Sequence, residues 1–217
     1  MRPTSQSVNR AAGRRALFRL VLVMLLGLGV GVALFVGTLR SPSGQPVQSD
    51  VNSATDTLTD LVNQQGGRFD AGQLQGHYAV LYFGFTSCPD ACPTALYNLT
   101  LALQQLDADA QRIQPVFVTV DPARDSPGQL ADYLAHFSER IIGLTGTMEA
   151  LQLAEQGFGV LAVEHRDDSL PGGYTMDHSN EFLLLSPTGK MLMRLPADQS
   201  VDALLEQLRG LTRAETV

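Results

Sequence analysis

Two cysteines, the only ones in 217 residues, stand four apart in Phe83-Gly84-Phe85-Thr86-Ser87-Cys88-Pro89-Asp90-Ala91-Cys92-Pro93. A thiolate is both the nucleophilic form of cysteine and a soft metal ligand, so this pair can exchange disulfides or hold copper(I) or zinc. A plain structural disulfide is the third reading, because lone cysteine pairs in an oxidising compartment usually join. The spacing gives that reading little support, since closing so small a ring scarcely constrains the unfolded chain. Cys-x-x-Cys is the usual spacing for dithiol exchange, and the extra residue here widens the pair enough to suit a chelate equally well.

Two sulfurs leave a metal wanting a third ligand, and the chain has four histidines. His77 precedes an apolar run, His136 lies within a helical pattern, and His165 sits in the polar run His165-Arg166-Asp167-Asp168. Each of these suits an ordinary surface or half-buried role. His178 follows Gly172-Gly173-Tyr174-Thr175-Met176-Asp177 and precedes an apolar run, a loop-end setting where functional side chains are often presented. Asp177 beside it fits an outer acceptor, a weak extra ligand or a solvated carboxylate, and the sequence leaves these open.

The elements that must position these groups alternate. Ala79–Phe85 reads as a strand, Pro93–Leu106 as a helix, Pro115–Val120 as a strand and Pro127–Phe137 as a helix, the rhythm of a parallel sheet. Neither strand alternates polar and apolar residues, as expected for central strands covered on both faces. Ser126-Pro127-Gly128-Gln129 supplies a capping hydroxyl, a proline at the first helical position and a glutamine at the third. Shorter strands are expected at Ile141–Leu144 and Gly159–Glu164 around a helix from Met148 to Gln156. Phe182–Ser186 and Lys190–Leu195 form a hairpin through Pro187-Thr188-Gly189, and a last helix covers Val201 to Leu211. A strand, a dithiol turn and a helix within an α/β layered domain describe a thioredoxin-like fold. Pro93 falls in the first helical turn, where its missing N–H costs nothing, and the helix start favours thiolates over thiols.

Ahead of this domain, residues 20–39 carry no charge, and about 20 apolar residues at 1.5 Å rise span a bilayer core. Five arginines and no acid precede them, so the positive-inside rule keeps residues 1–19 cytoplasmic and exports the rest. A cleaved signal peptide fits less well, because Gly37-Thr38-Leu39-Arg40 is a poor cleavage site. The expected organisation is therefore a basic N-terminus at 1–19, a transmembrane anchor at 20–39, a Ser/Pro/Gln/Asn-rich tether at 40–57 and a thioredoxin-like domain at 58–217. Beyond residue 40 the net charge is −13, which repels nucleic acid and suits a basic protein partner, or serves solubility alone.

Four motifs in order make the chain resemble the Sco family (Sco/SenC/PrrC): Tyr82 to Pro93, Val120-Asp121-Pro122-Ala123-Arg124-Asp125-Ser126-Pro127, Gly143-Leu144-Thr145-Gly146-Thr147, and Asp177-His178-Ser179. The match spans roughly residues 58–211. The resemblance implies copper as the metal, with Cys88, Cys92 and His178 as ligands and His178 brought over the dithiol turn by a loop. Two thiolates suit copper(I), and an added imidazole makes a site able to hold copper(II) as well. It also implies a metallochaperone on the periplasmic face of the inner membrane that delivers copper to the Cu-A centre of cytochrome c oxidase subunit II, or reduces that subunit's cysteines first. Another periplasmic copper chaperone is a further expected partner. Thiol–disulfide exchange by Cys88 and Cys92, or signalling as a redox or copper sensor, stand as alternatives. Asp121 and Asp125 match the second motif, where turn shaping and helix capping suffice. The chain departs from the family at His77, where a lysine is common, and at Asn180-Glu181, where apolar or small residues are frequent.

Overall fold

The computed structural model describes residues 51–213 except Pro171, so the basic N-terminus, the apolar span and most of the expected tether lie outside the described residues. The last part of that tether is not extended: Val51–Asp56 is a short helix (α1), followed by a 3-10 turn whose Leu58 is fully buried. No helix among the described residues is long and apolar enough to cross a membrane.

The remaining elements run β1 (Val62–Asn63), β2 (Tyr78–Gly84), α2 (Ala91–Gln104), β3 (Ile113–Thr119), α3 (Pro127–Leu134), β4 (Ile142–Thr145), α4 (Met148–Phe158), β5 (Ala162–Arg166), β6 (Tyr174–His178), β7 (Glu181–Leu185), β8 (Met191–Pro196) and α5 (Val201–Arg213). Six strands form one sheet in the order β1-β4-β3-β2-β7-β8. Strands β2, β3 and β4 are parallel, while β7 is antiparallel to β2 and β8 to β7. All seven residues of β2 are buried, which explains why its sequence does not alternate. Its aromatic residues knit the layers: Tyr82 packs on Phe182 and Phe117, and Phe83 on Phe158.

Helix starts follow their local chemistry. Ser126 Oγ accepts the N–H of Gln129 and Pro127 opens α3; Thr147 Oγ1 likewise accepts the N–H of Ala150 at α4. Helix α4 ends on Gly159 in the left-handed conformation (φ 62°), with the Val160 N–H returning to the Glu155 carbonyl. That cap explains one displaced expectation: the strand anticipated at 159–164 begins only at Ala162, because Gly159 is spent closing the helix.

The larger difference is β6. Residues 174–178, expected as a loop, pair antiparallel with β5 in a two-stranded ribbon outside the main sheet. Ala162 faces His178 across that ribbon. His178 is thus held at the end of a strand rather than by a loop folded over the dithiol turn.

Candidate metal centre

Helix α2 begins with no side-chain cap from Asp90. The Cys92 N–H points instead at Cys88 Sγ, 3.4 Å away, so the sulfur occupies the place a capping oxygen would take. The Cys88 thiol is pulled down to about 4, chiefly by the hydrogen bond from the Cys92 side chain. Burial opposes this, and His178 and the Cys92 and Asp90 backbone assist it. Cys92 is fully buried and its thiol is pushed up, first by donating to Cys88 and then by desolvation. One proton is therefore shared unequally, leaving an accessible thiolate at Cys88 beside a protected thiol at Cys92.

His178 completes the group. Its Nδ1 lies 3.0 Å from the Ser179 carbonyl, which can only accept, so Nδ1 carries the proton and Nε2 has a free lone pair. Nε2 lies 3.5 Å from Cys92 Sγ. The ligand atoms of Cys88, Cys92 and His178 all lie within 4.8 Å of one another, the single such cluster among the described residues. The imidazole is wedged edge-on between Tyr82 (6.0 Å) and Phe85 (5.8 Å). Tyr82 is itself buried and donates its hydroxyl to Asn180 Oδ1 at 2.9 Å.

Two sulfurs and an unprotonated imidazole nitrogen form the donor set that copper(I) and copper(II) both accept, and their separations need only small shifts to close on one ion. A hydrogen-bonded outer nitrogen on the histidine, as here, is the usual way such a ligand is oriented. Gly84 makes room: a Cβ there would lie 2.9 Å from Cys92 Sγ and 3.0 Å from the Phe117 ring.

The other candidates fall elsewhere. His77 Nδ1 contacts the Gln75 carbonyl, His136 Nδ1 contacts the Asp132 carbonyl within its own helix, and His165 is exposed on β5. Asp177 is exposed, on the opposite strand face from His178. The outer acceptor is the Ser179 carbonyl, which no side-chain reading of the sequence identifies. The family departure at Asn180-Glu181 has structural partners: Asn180 receives the Tyr82 hydroxyl, and Glu181 pairs with Arg194.

Asp121 and Asp125 do more than shape a turn. Asp125, fully buried, accepts the Thr86 N–H at 3.0 Å and the hydroxyls of Thr86 and Thr119 at 2.6 Å each. It ties the cysteine turn to the end of β3. Capping α3 falls to Ser126. Asp121 accepts the Tyr174 hydroxyl at 2.9 Å and pairs with Arg124.

Comparison with known proteins agrees with this geometry. A family described as SCO1/SenC matches residues 48–213. A SCO2-like protein of Rickettsia felis is 35% identical over 197 residues, covering 88% of this chain and 96% of its own. Among solved structures, Arabidopsis thaliana ScoI with copper bound is 31% identical with a TM-score of 0.67, covering 71% of this chain and 95% of that one. Yeast Sco1 with copper bound is 33% identical with a TM-score of 0.64, covering 72% and 86%. With a family match over most of its length and the thioredoxin-like Sco fold carrying its Cys-Cys-His cluster at one end of the sheet, the chain belongs to the SCO1/SenC family.

Proposed function

We propose that this protein binds copper through Cys88, Cys92 and His178 and serves cytochrome c oxidase assembly by passing copper to the Cu-A centre of subunit II. The observation that carries the proposal is the convergence of two sulfurs and one unprotonated imidazole nitrogen within 4.8 Å, on a fold whose relatives have been solved with copper bound. The cargo would move by ligand exchange: Cys88, the more accessible sulfur, is the first that an incoming ligand can replace, while buried Cys92 retains the ion until transfer ends. The expected placement is a single-pass inner-membrane protein with its copper domain in the periplasm. It rests on the charge-free stretch at 20–39 behind five arginines. Receipt of copper from another periplasmic chaperone fits the same ligand exchange run in reverse.

The unequal sharing of the proton favours a second reading, reduction of the partner's cysteines. Cys88 thiolate would attack a partner disulfide, forming a mixed disulfide and releasing one partner thiolate. Cys92 would then attack Cys88 sulfur, releasing the other. The partner gains two electrons, and Cys88 and Cys92 end as a disulfide.

Anaerobic copper(I) titration of the reduced protein against a competing chelator separates the readings. One equivalent bound, with affinity lowered by Cys88→Ala, Cys92→Ala and His178→Ala alike, is the expected result. Binding indifferent to His178→Ala, together with intact disulfide reduction by that variant, would transfer the assignment to thiol exchange.

A further inference from the structure

The three ligands come from two separately built parts. The cysteines belong to the turn between β2 and α2, in the main domain. His178 ends β6, half of a two-stranded ribbon that shares no strand pairing with the six-stranded sheet. A lone two-stranded ribbon has little stability of its own, so its position depends on the contacts that tie it down. Most of β5 is exposed, with Ala162 and, from β6, Met176 packed partly on the core.

One loop reaches both parts. In the segment Val120–Asp125 that follows β3, Asp125 grips the cysteine turn through Thr86. Four residues earlier and one residue earlier, Asp121 and Arg124 grip the ribbon. Asp121, 3% exposed, accepts the Tyr174 hydroxyl at 2.9 Å and pairs with Arg124. Arg124 Nη1 donates to the Tyr174 carbonyl at 3.1 Å, and its guanidinium lies over the Tyr174 ring at 3.8 Å. The same guanidinium stands 5.7 Å from the Phe85 ring, which also meets the His178 ring nearly at right angles. Tyr174 is the first residue of β6 and His178 the last, about 13 Å apart along the strand.

We propose that Arg124 and Tyr174 are positioning residues: their stacked, hydrogen-bonded pair latches the β5–β6 ribbon to the loop after β3, so that the imidazole of His178 is presented to the two sulfurs. The proposal rests on the copper reading above and extends it. With the latch closed the site offers three ligands; with it open the site offers two thiolates, still aligned by Asp125. Copper(II), which depends more on a nitrogen ligand than copper(I) does, is the sensitive probe.

The test uses the full-length chain in detergent, loaded with copper(II) and examined by electron spin echo, where a coordinated imidazole gives a distinct modulation from its remote nitrogen. Wild type is expected to show that modulation and His178→Ala to lack it. Arg124→Gln and Tyr174→Ala are expected to lose most of it and about tenfold in copper(II) affinity, the usual effect of removing an outer support of a metal ligand. Copper(I) affinity should fall less, to a value between wild type and His178→Ala. Arg124→Lys, which keeps a charge beside Asp121 but not the planar stack, should recover part of the signal. Tyr174→Ala leaves the Asp121–Arg124 pair in place, so it reports even if Arg124→Gln fails to fold. Wild-type modulation and copper(II) affinity in Tyr174→Ala, or in a folded Arg124→Gln, would overturn the latch. Wild type without modulation would overturn the ligand assignment itself, and the latch's metal role with it.

Discussion

Cys88 and Cys92 are the same residue type four positions apart, yet the fold gives them opposite chemistry. Cys88 caps the start of α2 and receives hydrogen bonds; Cys92 lies buried against Gly84 and Tyr82 and donates one. Since Cys88 is drawn down to about 4, its thiolate persists at pH values where an ordinary thiol is protonated, and its reactivity should fall only as the pH drops through that value. In the metal-free reduced protein, iodoacetamide at pH 6 should therefore label Cys88 first and leave Cys92 largely untouched, as peptide mass mapping would show. Cys92→Ala removes the donor that lowers Cys88 most, and should move the alkylation profile of Cys88 to higher pH. Equal labelling of both cysteines in the native protein would contradict the assignment. The asymmetry suits hand-over, because a ligand that can be displaced and one that cannot give the ion an ordered way out.

Among the elements, the segment after β3 carries more of the site than its position suggests. Asp125 holds three donors from two different elements within the core; burial pushes its carboxyl up while those donors oppose the shift. Asparagine cannot accept all three, so Asp125→Asn should cost about 1–3 kcal/mol in urea unfolding and also weaken copper(I) binding by loosening the cysteine turn. Unchanged binding in the destabilised variant would show that the turn holds itself. The main strands were readable from the sequence because β2 and β3 are unbroken apolar runs, and the helix starts because Ser126 and Thr147 are local caps. The ribbon was not. Tyr174, Met176 and His178 sit at period two, but a polar sequence opened by two glycines reads as a loop, and what makes it a strand is pairing with β5. The ligand set came from family motifs. The supports did not follow from local pattern, because Thr86–Asp125 and Asp121–Tyr174 join residues 39 and 53 positions apart.

At the scale of the whole chain, the three groups argued to hold copper, Cys88, Cys92 and His178, all lie in the described domain, well beyond the N-terminal segment. Its proposed contribution is position. Confining a donor to the membrane that holds its acceptor raises the effective concentration of each for the other, without any new contact between them. A net charge of −13 beyond residue 40 would add to this if the acceptor presents a basic surface, an attraction that salt screens, and otherwise serves solubility. Removing residues 1–40 and exporting the remainder behind a cleavable signal should leave copper(I) affinity unchanged while lowering oxidase activity in membranes at equal protein abundance. Fusing an unrelated single-span anchor of the same orientation should restore the activity. Full activity from the soluble form would remove the anchor from the mechanism, whereas failure of the foreign anchor would mean that residues 1–40 make a specific contact of their own. Loss on removal and rescue by the foreign anchor are expected together, because chemistry held by the turn after β2, the end of β6 and the loop between them needs from the rest of the molecule only to be kept near its acceptor.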